Sequence, residues 1–126
     1  MRILIAEDDP LLADGLTRSM RGGEHAVDCV NDGAAADHAL STQTYDLEII
    51  DLGLPRMDGF EFTRAVRASQ QWRHIPIIII SSYVDEPHRA TARAIGVDEY
   101  LGKPYEASEL LAHVRALLSR ALRASA

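Results

Sequence analysis

The chain has 126 residues, 47% of them hydrophobic and 25% charged, which is typical of one soluble globular domain with a single core. No apolar run approaches the roughly 20 residues of a membrane span, and the only cysteine, Cys29, excludes an internal disulfide, so we expect a cytoplasmic protein that does not contact the membrane. The net charge of −6 argues against direct binding of nucleic acid, because such binding needs Lys and Arg to neutralise phosphates.

Short apolar runs alternate with amphipathic stretches along the whole chain. The apolar runs predict five strands, at 2–6, 25–30, 47–52, 77–80 and 98–101. The amphipathic stretches predict five helices: one from Pro10 to the pair Gly22-Gly23, and others at 34–40, 60–68, 85–95 and about 108–122. Five strand–helix repeats with short connections are typical of an α/β fold, a doubly wound parallel sheet with helices on both faces.

The last two predicted helices differ in how much apolar surface they offer. In the helix at 85–95 we expect Ala90, Ala94 and Ile95 to form the buried side, which is a small apolar area. We therefore expect this helix to be the part of the fold that moves. The last helix has a broad apolar stripe, formed by Leu110, Leu111, Val114, Leu117, Leu118, Ala121 and Leu122.

The stretch YDLEIIDLGLPRMDG contains the residue around which we expect the function to be organised. Asp51 lies near the end of a buried strand, where an unpaired carboxylate is costly. Gly53 and Pro55 are expected to end that strand, and Asp58-Gly59 to turn the chain toward a helix. Because ligands of open parallel sheets bind beyond the carboxyl ends of the strands, Asp51 is a candidate site residue. Its position alone is also compatible with an aspartate that braces a loop.

Polar side chains occur at the same end of three other predicted strands. Glu7 and Asp8 follow the first strand, Ser81 the fourth, and Lys103 the fifth. Carboxylate oxygens and water are the ligands that Mg²⁺ prefers, and three acids without a cation would force a proton onto one of them. With a metal bound, Asp51 can attack phosphorus as a nucleophile, while lysine, hydroxyl and metal stabilise the transferred oxygens. Each residue alone has a structural explanation, but together they predict a site for phosphoryl transfer.

On these residues the chain closely resembles the receiver domain of two-component response regulators. The resemblance extends from residue 2 to about residue 120, and its motifs are ILIAEDDP, YDLEIIDLGLPRMDG, PIIIISS and GVDEYLGKPY. It implies a single-domain (βα)5 fold of the flavodoxin-like, CheY-like type, with the receiver at 1–122 and a tail or the start of a linker at 123–126. It also implies Mg²⁺-dependent phosphoryl transfer from the phosphohistidine of a histidine kinase or phosphotransfer domain. Such a protein is a phosphoacceptor that assists its own phosphorylation and dephosphorylation, not an enzyme.

The resemblance further implies a role for each acidic residue. Asp51 would be the phosphoacceptor. Asp8, Asp51 and the backbone carbonyl of Gly53 would bind Mg²⁺ directly, and Glu7 would act through a metal-bound water. Gly53 stands where a larger side chain is common in the family, which leaves more room over the phosphoryl group.

The resemblance also covers the two switch residues, the lysine that pairs with the phosphoryl group and a proline after it. Ser81 would be the switch hydroxyl and Tyr100 the switch aromatic. Lys103 would pair with the phosphoryl group, and the Lys103–Pro104 bond would be a cis peptide. Tyr83, two residues after Ser81, is placed to shield the phosphoryl group from water.

The sequence matches two kinds of receiver and does not decide between these subfamilies. The N-terminal half and the last helices resemble regulators of the OmpR/PhoB type, which form homodimers through the fourth helix, fifth strand and fifth helix. Charged residues that match this face are Arg89, Glu99, Glu109 and Arg120, while His113 stands where arginine is expected. HIPIIII and GVDEYLGKPY resemble instead the receivers of hybrid kinases. We therefore expect either a lone receiver or one domain of a longer protein with an output or DNA-binding domain.

Two other functions would use the same residues as the phosphorylation switch. A Mg²⁺-dependent aspartyl-phosphate hydrolase would need a second aspartate two residues after Asp51 and a cap insertion, and the chain has neither. A pseudo-receiver that only binds a partner would lack an acid, the hydroxyl or the lysine, and all are present. The five histidines show no spacing typical of metal ligands. We therefore predict a switch whose fourth-helix, fifth-strand and fifth-helix surface changes its partners on phosphorylation.

Overall fold

Five parallel strands form the centre of the protein in a computed structural model that describes residues 1–23, 25–54 and 57–125. The strands are β1 (Arg2–Ala6), β2 (Ala26–Val30), β3 (Leu47–Asp51), β4 (Ile77–Ser81) and β5 (Glu99–Gly102). The helices are α1 (Pro10–Gly22), α2 (Gly33–Thr42), α3 (Gly59–Ala68), α4 (Glu86–Ile95) and α5 (Ala107–Ser125). The strand order is β2-β1-β3-β4-β5, and all neighbouring pairs are parallel. The predicted doubly wound α/β fold is thus confirmed, whereas Pro55 lies outside the described residues.

The sheet is covered by helices on both faces, so its central strands are buried on both sides. One face packs against α1 and α5, and its buried residues include Ile3, Ile5, Ile49, Ile78, Leu16, Met20, Leu110 and Val114. The other face packs against α2 and α3, and its buried residues include Leu4, Ile50, Ile77, Ile79, Ala36, Leu40, Phe62 and Val66. Burial on both sides explains why RILIA and PIIII are continuous apolar runs instead of alternating ones.

One acidic side chain lies inside the α2–α3 face. Glu48 is in register with Leu4 of β1 and Ile77 of β4, and it is 0% exposed. Neither of its carboxylate oxygens has a hydrogen-bond partner among the described residues. Burial raises the pKa of Glu48 to about 8, and the charge of Arg67 lowers it by a smaller amount. Glu48 therefore holds a proton at neutral pH, because an unpaired carboxylate is costly in an apolar layer.

Four helices begin at an aspartate whose side chain accepts backbone N–H groups of the first turn, which would otherwise have no partner. The caps are Asp9 for α1, Asp32 for α2, Asp58 for α3 and Asp85 for α4. At the start of α3 the backbone passes close to the end of β3. A Cβ atom on Gly59 would lie 2.9 Å from Cδ1 and 3.2 Å from Cα of Leu52, so a larger residue there would require Leu52 to shift.

Helices α4 and α5 differ in detail from the prediction. The fully buried residue of α4 is Ala92 and Ile95 is half-buried, whereas Ala90 and Ala94 are exposed, so the prediction was wrong for these two alanines. Alanines at 90, 92 and 94 lie on more than one side of the helix, and their spacing does not identify the buried side. Helix α5 continues to Ser125, beyond the predicted end at 122, because no proline or glycine interrupts it. Leu122 is 58% exposed, so the apolar stripe ends before it.

Among the helices of the described residues, none is both long enough and apolar enough to cross a membrane.

Candidate functional site

The predicted site residues meet at the carboxyl edge of the sheet. Glu7 and Asp8 come directly after β1, Asp51 is the last residue of β3, and Ser81 is the last residue of β4. Lys103 comes directly after β5. The register pairs Asp51 with Ile80 and Ser81 with Gly102, so these strands end within one residue of each other. Parallel pairing therefore brings the four strand ends to one place.

Three carboxylates form an acidic cluster at this edge. Glu7, Asp8 and Asp51 each offer one oxygen, and these oxygens all lie within 4.8 Å of one another. Glu7 is 3% exposed and Asp51 is 7% exposed, while Asp8 is open to solvent. Oε2 of Glu7 accepts the N–H of Asp9 at 3.2 Å, but Oε1 is buried without a hydrogen-bond partner among the described residues. This all-oxygen set with an unsatisfied buried oxygen fits a hard divalent cation.

The ammonium group of Lys103 lies beside two carboxylates of the acidic cluster. Its Nζ lies 3.1 Å from Oδ2 of Asp51 and 3.5 Å from Oε1 of Glu7. The backbone N–H of Lys103 donates to the carbonyl of Ser81 at 2.8 Å, and the Lys103–Pro104 peptide bond is cis. Oδ1 of Asp51 accepts the N–H of Gly53 at 3.1 Å. Each oxygen of Asp51 therefore has a hydrogen-bond donor.

The two buried acids of the cluster have opposite pKa shifts. Burial, together with the neighbouring Asp51, raises the pKa of Glu7 to about 7. Burial also acts to raise the pKa of Asp51, but its interactions with Glu7, Gly53 and Lys103 outweigh burial and lower that pKa. Asp51 is therefore the more readily ionised of the two. An ionised carboxylate at this position can act as a nucleophile.

Ser81 and Tyr100 are both hydrogen-bonded to the backbone of Tyr83. Oγ of Ser81, which is 1% exposed, accepts the N–H of Tyr83 at 2.9 Å. The hydroxyl of Tyr100 donates to the carbonyl of Tyr83 at 2.5 Å. The guanidinium of Arg89 lies 5.4 Å from the centroid of the Tyr100 ring and donates to the Tyr100 carbonyl at 3.4 Å. The segment after β4 thus connects the two residues predicted to be the switch.

His88 is a residue of this region that sequence reasoning missed. Its imidazole stacks on the ring of Tyr83, with centroids 4.8 Å apart and an interplanar angle of 9°. Its Nδ1 lies 2.7 Å from Oδ2 of Asp85. The available signal was the spacing of Asp85 and His88, three apart at a helix start, since such residues are neighbours on the first turn.

Comparison with known proteins identifies the family of this chain. The model of the response regulator receiver domain matches residues 3–115. The transcriptional regulatory protein TctD of Salmonella typhimurium is 40% identical over 120 residues, which are 95% of this chain and 53% of that protein. The response regulator protein PmrA of Pseudomonas aeruginosa is 41% identical over the same shares. The chain belongs to the response regulator receiver domain family, and it spans about half the length of the curated relatives it matches.

Solved structures support the same assignment. The receiver domain of the Francisella response regulator 1452 matches with a TM-score of 0.88 and 28% identity, covering 95% of this chain and 98% of that one. The receiver domain of sensor histidine kinase PA1611 from Pseudomonas aeruginosa PAO1 matches with a TM-score of 0.84 and 30% identity, covering 94% and 97%. That crystal structure contains a magnesium ion coordinated in its active site cleft. The predicted (βα)5 receiver fold and the role in two-component signalling are confirmed. The curated relatives are of the OmpR/PhoB type.

Proposed function

We propose that Asp51 accepts a phosphoryl group from the phosphohistidine of a histidine kinase or a phosphotransfer domain. The observation that supports this most strongly is the pairing of the 7% exposed Asp51 with the ammonium group of Lys103 at 3.1 Å, beside two further acids. The proposal extends the family's standard function to one named residue of this chain.

The donor set of this site fits Mg²⁺. We assign the metal to Asp8, Asp51 and the backbone carbonyl of Gly53, with Glu7 acting through a bound water. The buried Oε1 of Glu7, which lacks a hydrogen-bond partner within the described part of the chain, supports this assignment. Mg²⁺ bound there would supply positive charge to the three acids and to the oxygens of the phosphoryl group.

In the transfer, a carboxylate oxygen of Asp51 attacks phosphorus while the bond between phosphorus and the donor's imidazole nitrogen breaks. The nitrogen keeps the electron pair of that bond, and Asp51 becomes an acyl phosphate. Lys103, 3.1 Å from Oδ2, can then pair with a phosphoryl oxygen in place of the carboxylate. Ser81 accepts the N–H of Tyr83 with its oxygen, which leaves its hydroxyl hydrogen to donate to another phosphoryl oxygen.

Chemical mapping of the modified residue tests this proposal. The chain is incubated with a phosphorylated histidine kinase and Mg²⁺, reduced with borohydride to trap the acyl phosphate, digested and analysed by mass spectrometry. We expect the reduced product only in the peptide that contains Asp51. Trapping at Asp8 or at another acid, with Asp51 unmodified, would contradict the assignment.

We further propose that phosphorylation changes the surface formed by α4, β5 and α5 and that this surface forms a homodimer. Arg89 supports the link, because it donates to the carbonyls of Val84 and Tyr100 at the inner edge of that surface. Glu109 lies in the first turn of α5, and Oε1 of Glu99 lies 3.5 Å from Nδ1 of His113. Nη2 of Arg120 lies 4.0 Å from Oδ1 of Asp98.

The size of the relatives supports a proposal about the whole protein. The curated relatives are named as transcriptional regulators and are about twice as long as this chain. We propose that this receiver controls a DNA-binding output domain in the cytoplasm. Analytical ultracentrifugation with and without beryllofluoride and Mg²⁺ tests the dimer, since an activated receiver that stays monomeric at high concentration would contradict it.

A further inference from the structure

Tyr83 connects the two switch residues through its backbone. It lies two residues after β4, and its N–H donates to Oγ of Ser81 at 2.9 Å. Its carbonyl accepts the hydroxyl hydrogen of Tyr100 at 2.5 Å. A movement of either switch side chain must therefore break one of these two bonds or move the backbone of Tyr83.

The ring of Tyr83 is fixed by contacts with the first turn of α4. Tyr83 is 59% exposed as a residue, yet its ring lies flat against the imidazole of His88, at an angle of 9° and a centroid distance of 4.8 Å. His88 is itself held, because its Nδ1 lies 2.8 Å and 2.7 Å from the two carboxylate oxygens of Asp85. The same carboxylate accepts the backbone N–H of His88 at 3.3 Å. The ring of Phe60, at the start of α3, lies 6.3 Å from the imidazole.

The stack matters for the switch because it joins the segment between β4 and α4 to the first turn of α4. The segment after β4 has few buried side chains of its own, since Ser82, Tyr83 and Val84 are all exposed. A stacked aromatic pair contributes free energy beyond the area it buries. Where such a contact exists in only one of two arrangements, it shifts the equilibrium toward that arrangement.

We propose that Tyr83, held by its stack on His88, is a positioning residue that keeps Ser81 and Tyr100 in the arrangement seen here and so opposes switching. The proposal rests on the proposed phosphorylation of Asp51. When the Ser81 hydroxyl turns to a phosphoryl group, the Tyr83 backbone follows it and the ring leaves His88. The stack therefore sets how much phosphorylation must contribute before the switch changes state.

Binding of beryllofluoride in the presence of Mg²⁺ tests the proposal, with the dissociation constant measured by NMR titration. Tyr83→Ala and His88→Ala remove the stack, and we expect each to bind beryllofluoride about fivefold more tightly than the wild type. Tyr83→Phe and His88→Phe retain two facing rings, and we expect both to stay within twofold of the wild type. Tyr83 is exposed and His88 is partly exposed, so thermal unfolding should confirm that all four variants are folded.

The free protein provides a second measurement that needs no phosphoryl analogue. In His88→Ala we expect the resonances of Ser81 and Tyr100 to shift, because the Tyr83 backbone is no longer held in one place. Wild-type resonances for both residues in that variant would overturn the proposal.

The outcomes separate this proposal from the proposed function. Wild-type protein that does not bind beryllofluoride, or that binds it equally well as Asp51→Asn, would overturn the function and the role of Tyr83 together. Normal binding by the wild type and unchanged affinity in both alanine variants would overturn the role of Tyr83 alone. A shorter lifetime of the acyl phosphate in Tyr83→Ala, with unchanged affinity for beryllofluoride, would identify the ring as a shield against water and contradict a positioning role.

Discussion

Nζ of Lys103 lies 3.1 Å from Oδ2 of Asp51, although the two residues are 52 positions apart in the sequence. Lys103 follows β5 and Asp51 ends β3, and β4 lies between these two strands. The lysine side chain therefore reaches across the end of β4, where Ser81 lies. Together with Glu7 and the N–H of Gly53, this contact lowers the pKa of Asp51 against the effect of burial.

Replacement of Lys103 tests its role in the transfer. Lys103→Gln removes the only lysine of the chain and with it the positive charge beside Asp51. We expect phosphorylation by a small phosphodonor to slow by about 100-fold, because a fixed charge at the transferred oxygens is lost. The rate is measured by intact mass as a function of time, with Arg93→Gln on the exposed side of α4 as a control of equal charge change. Equal rates in the wild type and in Lys103→Gln would contradict this role.

Removal of the Glu7 carboxylate tests the metal site. Glu7→Gln retains the size of the side chain and removes the charge, and we expect it to weaken Mg²⁺ binding by about 10-fold to 100-fold, as for other residues that act through the shell around a metal. Binding is measured by isothermal titration calorimetry, and Glu106→Gln on the exposed segment before α5 serves as control. Mg²⁺ affinity that is equal in Glu7→Gln and the wild type would show that Glu7 has only a structural role.

The buried Glu48 predicts how stability depends on pH. Its pKa is about 8 in the folded chain and has a reference value of 4.5, so the folded chain holds a proton that the unfolded chain loses between these values. The free energy of unfolding therefore decreases as the pH rises from about 4.5 to about 8. Between pH 4.5 and pH 7 this decrease amounts to about 3 kcal/mol.

Replacement of Glu48 should remove this dependence. Glu48→Leu keeps an apolar side chain in the α2–α3 face, and we expect it to raise the free energy of unfolding at pH 7 and to flatten its pH profile. Urea unfolding at several pH values measures the effect, with Glu61→Gln on the exposed side of α3 as the control. A Glu48→Leu variant that is less stable than the wild type at pH 7 would contradict a protonated, unpartnered acid.

Helix α4 should open more easily than helix α1. Ala92 is its only fully buried residue, whereas α1 buries Leu16 and Met20. We expect backbone amides of α4 to exchange with deuterium faster than those in the middle of α1, since local opening there exposes little apolar surface. Hydrogen exchange followed by NMR measures this, and slower exchange in α4 than in α1 would be the contrary result.

Position in the fold made the acidic cluster predictable from the sequence. Residues that follow parallel strands meet at one edge of the sheet, so Asp51, Asp8 and Lys103 could be brought together before their distances were known. The apolar runs likewise predicted five strands, because strands covered on both faces are apolar throughout.

Side-chain orientation made other features unpredictable. The stack of Tyr83 on His88 depends on the path of the segment between β4 and α4, which no periodic pattern encodes. The strand LEIID contains Glu48 within its apolar run and Asp51 at its end, and this pattern does not reveal that Glu48 is buried without a partner. The alanines of α4 are too evenly distributed to indicate which of them packs against the sheet.

The central claim is that Asp51 is the phosphoacceptor, and intact mass after incubation with acetyl phosphate tests it most directly. The wild type, Asp51→Asn and the control Asp32→Asn, which retains a side chain able to cap α2, are compared with and without Mg²⁺. We predict one phosphoryl adduct in the wild type and in Asp32→Asn, only when Mg²⁺ is present, and none in Asp51→Asn. An adduct of equal yield in Asp51→Asn, or no adduct in the wild type with Mg²⁺, would contradict the account.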